Sequence, residues 1–281
     1  MQKVDFHIHT NISDGLLTPE EVIKLSIKNN CTDISITDHE ITADYTNLEK
    51  QYGITIISGI EFNTSISNLH VLGYGIKNIF LVNNEMINLR KKNEEICYQV
   101  IDLMKNNGYD ISIEKIIEYL KKINLNYDII DKRKIVKYLI YKGYASNTLD
   151  AYQELIGKNQ EFYVPNHKIS PEKIINLIND SGGISVIAHP NTINMQTNKK
   201  YELIKELTLI GLSGIEIINS KMKLNQSNIY ERIADELKLI KTVGSDFHDY
   251  KTDEIGIYID DLIYEQFKER LLSPKIRKKM I

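Results

Sequence analysis

Apolar positions fall into seven short runs, at residues 4–9, 34–37, 55–61, 70–74, 184–188, 214–218 and 240–245. Each run has strand length and is apolar at most positions, not at alternate ones. That is the pattern of strands covered on both faces. Helical periodicity fills several gaps between them. Thr18, Pro19 and Glu21 form a capping box that opens a helix over 19–29. Ser170 and Pro171 open another that runs to Ile178 and stops at Gly182–Gly183. Further helices fit 200–210 and 225–238. Strands alternating with helices predict an α/β barrel or a barrel-like fold.

The middle of the chain breaks this rhythm. From about residue 85 the pattern is helical throughout, with helices over 85–106, 113–123, 131–142 and 148–156. We therefore expect a barrel built from residues 1–75 and 165–281, interrupted between two strands by a helical insertion at 76–164 that caps the site and recognises substrate.

Composition adds limits. The 281 residues carry a formal net charge of −3, with 42% hydrophobic and 26% charged residues, so no overall charge draws the protein to nucleic acid or membrane. No apolar run is long enough to span a bilayer, and the first residues lack the apolar core of a leader. Cys31 and Cys97 form no metal or disulfide pattern and read as small buried residues. These features lead us to expect a cytoplasmic protein with no membrane association and no obligate protein partner.

Chemistry concentrates at the strand ends. His7 and His9 are two apart on a strand, so both rings face one side. Asp14 follows in a loop, Asp38 and His39 end the second run, and Glu61 ends the third after Gly59. His189 lies in an Ala-His-Pro turn, and Asp246 and His248 share one side of the last segment. His70 precedes its run, so that strand is either antiparallel or misassigned. A lone strand-end histidine is usually structural. Six, with three carboxylates, point to metal ions, because burying such groups is costly unless cations offset the cost. Without cysteine ligands the ions should be borderline or hard, such as Mn²⁺, Fe²⁺ or Zn²⁺. For Asp38, support of a ligand and a simple turn role stay equally open. Glu216 and Asp249 read as structural.

The segments DFHIHTNISDG (5–15), ITDHE (36–40), GIEF (59–62), HVLGYGI (70–76), GGISVIAHP (182–190) and VGSDFH (243–248) resemble, in order, the motifs of the PHP (polymerase and histidinol phosphatase) family of phosphoesterases. The resemblance implies a distorted seven-stranded barrel with three divalent ions. His7, His9, Glu61 and Asp246 would hold one ion. Glu61 would bridge to a second, completed by His70 and His189. Asp14, His39 and His248 would hold the third. Glu61, Asp246 and His189 are the expected catalytic positions. Cation-activated water would attack phosphorus in line.

Residues 142–170 further resemble nucleoside 3′,5′-bisphosphate phosphatases of this family, some of which also trim short RNA from its 5′ end. That subgroup opens the helix near 132 with an Arg-x-His pair; here Asp131, Lys132, Arg133 and Lys134 stand instead. The expected function is hydrolysis of small phosphorylated metabolites, nucleotides first, with short RNA as a further substrate. The alternatives are a histidinol-phosphate phosphatase and a non-catalytic metal-binding module. Between 121 and 142 lie seven basic residues against two acidic ones. Lys132, Arg133 and Lys134 are the expected contacts for a non-reacting phosphate. His167, the seventh histidine, joins them, with a plain surface role as its alternative.

Overall fold

The structure is a computed structural model that describes residues 1–251 and 253–273. Eight strands form one sheet: β1 (Gln2–Ile8), β2 (Asp33–Ile36), β3 (Thr55–Asn63), β4 (His70–Tyr74), β5 (Ile184–Ala188), β6 (Gly214–Asn219), β7 (Ile240–Gly244) and β8 (Ile257–Ile259). Their order is β7-β6-β5-β4-β3-β2-β1-β8. The sheet curls until its ends almost meet. Beyond β7, Asp246 N donates to His7 O and His9 N donates to Phe247 O, both at 2.9 Å. The result is a nearly closed barrel.

Seven of these strands match the apolar runs. The eighth does not, because β8 has only three residues and only Ile259 is buried. It pairs antiparallel with β1, Gln2 opposite Ile259. β4 runs antiparallel to both neighbours, with His70 opposite Asn63 and Ala188. Its first residue therefore lies at the end where β3 and β5 finish. This resolves the placement of His70.

The helices follow in chain order. In α1 (Pro19–Lys28), Thr18 accepts from Glu21 N at 3.2 Å while Glu21 accepts from Thr18 N at 2.8 Å, which is the expected capping box. α2 (Thr46–Tyr52) has no buried residue and too weak an apolar face to be read from the sequence. α3 (Ile79–Asn106), α4 (Ile113–Lys122), α5 (Lys132–Tyr141) and α6 (Thr148–Ala151), the last continuing into one π turn at 152–156, come next. α7 (Pro171–Asp180), α8 (Thr197–Ile210), α9 (Leu224–Leu237) and α10 (Asp261–Leu272) complete the described residues.

The chain divides into two compact units, residues 1–84 with 168 onward and residues 85–167. Each has its own apolar core. In the barrel unit Val4, Phe6, Leu72, Tyr74, Val186, Ile215 and Phe267 pack together, and a second group gathers Ile8, Val22, Ile34 and Phe247. In the helical unit Val100, Met104, Ile116, Leu120, Ile135, Leu139 and Phe162 do so. Apolar burial on this scale holds a fold without help from metal ions. Among the described residues, no helix is long and apolar enough to cross a membrane.

Candidate metal centre

At the C-terminal end of the parallel strands, nine side chains converge in three overlapping groups. His7, His9, Glu61 and Asp246 make one; Glu61, His70 and His189 another; His9, Asp14, His39 and His248 the third, and within each group the ligand atoms lie within 4.8 Å of one another. Glu61 is at the centre, almost fully buried. Its Oε1 is 2.9 Å from His70 Nδ1 and 2.9 Å from His189 Nε2. Its Oε2 faces His9 Nε2 at 3.1 Å, His39 Nδ1 at 3.3 Å and His7 Nε2 at 3.4 Å. One carboxylate thus turns its two oxygens to two different sets of histidines. Asp246 Oδ1 lies 3.5 Å from both His7 Nε2 and His9 Nε2. Asp14 Oδ1 stands 3.6 Å from His9 Nδ1 and 3.5 Å from His248 Nε2, and its Oδ2 3.7 Å from His39 Nε2. His9 therefore borders two groups, not one.

The longer of these separations, from 3.3 to 3.7 Å, fit shared cations better than hydrogen bonds. His7 Nε2 and both ring nitrogens of His9 are buried without a hydrogen bond, although carboxylate oxygens stand close by. Two ligands at roughly 2.0–2.2 Å from a tetrahedral ion lie about 3.4 Å apart. The donor set of imidazoles and carboxylates suits borderline and hard divalent ions. Burial opposes charge on Glu61, but His39, His7 and His70 outweigh it and hold the carboxyl well below the usual range. Burial likewise opposes charge on His9, yet Asp246 and Glu61 raise its pKa to about 10.

A ring of buried acids holds these side chains in place. Asp38 accepts from Thr10 N at 2.8 Å, Thr10 Oγ1 at 2.6 Å and Ser13 Oγ at 2.5 Å, ordering the loop that carries Asp14. The sequence left its role open; here it orders the loop that carries Asp14. Asp5 accepts from Ser245 N, Gly256 N and His7 N, so it ties β1 to the segment before Asp246. Glu216 was read as structural, and that reading missed its part in the site. Its Oε1 is 3.0 Å from His7 Nδ1, and its Oε2 accepts from His189 N at 2.6 Å. The available signal was an acid inside an apolar strand. Such a partner fixes the tautomer and tilt of a ligating ring. Asp249 forms a local turn, accepting from Lys251 N at 2.9 Å.

The four residues expected to contact substrate lie in the helical unit. Asp131 caps α5, accepting from Lys134 N at 3.0 Å. Arg133 pairs with Asp131 at 2.6 Å. Lys132 is buried and its Nζ donates to Val164 O. Lys134 is 2% exposed, and its Nζ donates to Ile129 O at 2.6 Å. His167 is exposed, with its backbone held by Asn93 at 2.8 and 3.1 Å.

An α/β barrel that gathers imidazoles and carboxylates at the C-terminal strand ends defines a metal-dependent hydrolase. The chain belongs to the PHP domain family, whose model matches residues 5–207. A 5′-3′ exoribonuclease of Haemophilus influenzae is 26% identical over 253 residues, covering 88% of this chain and 90% of that protein. A 3′,5′-nucleoside bisphosphate phosphatase of Chromobacterium violaceum is 25% identical over 254 residues, 88% of each chain. Among solved structures, a protein of Bifidobacterium adolescentis described as a metal-dependent phosphoesterase matches with a TM-score of 0.81 at 21% identity, over 96% of both chains.

Proposed function

We propose that this phosphoesterase is a phosphomonoesterase of small phosphorylated metabolites, with nucleoside 3′,5′-bisphosphates as its foremost substrates. The observation that carries the reading is the split of Glu61, whose two oxygens face separate histidine sets. A bridging carboxylate of this kind belongs to centres that clamp both oxygens of an in-line displacement. In the proposal His7, His9, Glu61 and Asp246 hold one ion, Glu61, His70 and His189 a second, and Asp14, His39 and His248 a third. Three divalent ions, Mn²⁺, Fe²⁺ or Zn²⁺, would lower the pKa of water and neutralise charge on the phosphoryl oxygens.

The protein's own groups do the rest. Glu61 and Asp246 would be held in their charged form by the cations they ligate. Glu216 and Thr192 fix the rings of His7 and His189 through their Nδ1 atoms, each at 3.0 Å. Lys132, Arg133, Lys134 and His167 are proposed to take the non-reacting phosphate. All three basic side chains already spend donors, Lys132 on Val164 O, Lys134 on Ile129 O and Arg133 on Asp131, and of the three Arg133 alone has the planar fork for a two-pronged grip, which it would make by exchanging Asp131 for phosphate. The 5′ end of short RNA is a second substrate class, favoured by the similarity to the Haemophilus influenzae exoribonuclease.

A panel of nucleoside 3′,5′-bisphosphates, mononucleotides, short 5′-phosphorylated RNA, histidinol phosphate and an aryl phosphate tests the reading on Mn²⁺-loaded protein. We expect phosphate release in every metal-loaded assay with the bisphosphates, at the highest kcat/KM of the panel. A clear preference for histidinol phosphate would overturn the substrate assignment. No turnover of any ester would reduce the chain to a metal-binding module.

A further inference from the structure

Lys221 lies in the loop between β6 and α9, beside the centre. Its Nζ is 3.3 Å from Asp246 Oδ2, while Oδ1 of the same carboxylate faces His7 and His9. The loop beneath it is tied twice. Lys221 N donates to Asn219 Oδ1 at 3.0 Å, and Ser220 Oγ donates to Ser245 O, the residue before Asp246, at 2.5 Å. The backbone that carries the ammonium is thereby fixed to the segment that carries the proposed ligand. The side chain itself is 60% exposed, against 15% for Asp246.

A solvated pair of this kind adds only about 0–1 kcal/mol of stability, so packing gives little reason for a cation at this spot. Binding gives a better one. An ammonium has three donors, and Asp246 takes one. When the other oxygen of Asp246 serves a metal ion, the charge of the carboxylate is shared and its hold on Lys221 weakens. A phosphoryl oxygen with undivided negative charge is then the stronger acceptor. We propose that Lys221 is a substrate-binding residue whose ammonium, standing on the Asp246 side of the metal centre, hydrogen-bonds a non-bridging oxygen of the reacting phosphate. The assignment rests on the phosphoesterase reading above and adds to it a cation supplied by the protein. Lys is suited to the role because its flexible stem lets a point charge follow the phosphate.

The test uses full-length Mn²⁺-loaded protein as wild type, Lys221→Met and Lys221→Arg. Metal content is measured by mass spectrometry, binding of inorganic phosphate by calorimetry and hydrolysis with an aryl phosphate. Lys221→Met should keep the wild-type metal content and weaken phosphate binding by about tenfold or more. Lys221→Arg should restore most of that binding. Unchanged phosphate affinity in Lys221→Met would overturn the proposal. So would a loss of metal in step with affinity, because Lys221 would then act only by supporting Asp246. A wild type that binds phosphate but hydrolyses no ester would defeat the reading of function, while the phosphate affinities would still decide the role of Lys221.

Discussion

His189 and Asp246 both hold backbone conformations that L residues seldom adopt, with φ of +26° and +58°. Strain of this sort persists only where the surroundings fix it. For His189 the fixing group is Glu216, which accepts from its backbone N–H while also meeting the ring of His7. Glu216→Gln keeps one oxygen but must turn an NH₂ to the other partner. We expect metal affinity to fall by roughly 10–100-fold, read from Mn²⁺ titration, with the fold retained. Wild-type affinity would show that Glu216 is mere packing. Glu61→Gln and Asp246→Asn remove charge from the centre itself. Each should lower kcat to less than about a tenth of wild type, a loss beyond about 1.4 kcal/mol, with an unchanged circular dichroism spectrum. Activity above that level would remove the assigned role. Gly244 shows how closely β7 must approach, since a Cβ there would lie 2.2 Å from His7 Cβ. No such pressure is visible in the sequence around it, whereas the histidines announce themselves.

Element by element, the sequence disclosed what periodicity can encode. Seven strands and the main helices were legible because each carries a continuous apolar run or an apolar face. β8 and α2 were not, because β8 is three residues long and no residue of α2 is fully buried. The direction of β4 was open for a different reason: strand polarity depends on partners, which only the pairing of His70 with Asn63 and Ala188 reveals. Eight of the nine proposed ligands could be placed at the C-terminal ends of runs, or in the loop beyond one, before any pairing was known. His9 bordering two groups is a matter of geometry that no spacing predicts. In α5 the basic stretch divides by burial. Lys134 is inside, where its ammonium satisfies the Ile129 carbonyl, so Lys134→Ala should cost about 1–3 kcal/mol, measured by urea unfolding. Arg133→Ala should leave stability nearly unchanged. It should raise KM for a nucleoside 3′,5′-bisphosphate by about tenfold and leave that for a monophosphate within about twofold. Equal effects on both substrates would return Arg133 to a surface role.

For the whole molecule, the apolar core and the ligand cluster are separate sources of stability. The barrel unit packs an apolar core from its strands and helices that does not depend on an ion, so protein stripped by a chelator should stay folded. Its pH dependence should nevertheless differ from that of the loaded form. Without metal, Asp246 and Glu61 raise His9 to about 10, and Glu61 and Glu216 raise His7, in both cases against burial. A raised histidine stabilises the fold fully below its unfolded pKa near 6.5 and loses that contribution as pH climbs towards its folded value. Metal-free protein should therefore weaken between about pH 6.5 and 10. Metal-loaded protein uses neutral imidazoles and should not, since ion binding expels those protons. The difference in Tm between loaded and stripped protein should widen from pH 6.5 to 9. At pH 9 it should reach about 5 °C or more, as expected when an ion at 100-fold its Kd adds about 2.7 kcal/mol. Scanning calorimetry at the two pH values checks this, with proton release on Mn²⁺ addition in weak buffer as an independent signal. A gap that narrows with pH, or metal uptake without proton release, would mean that these histidines are neutral before metal arrives and that the carboxylates alone set the affinity.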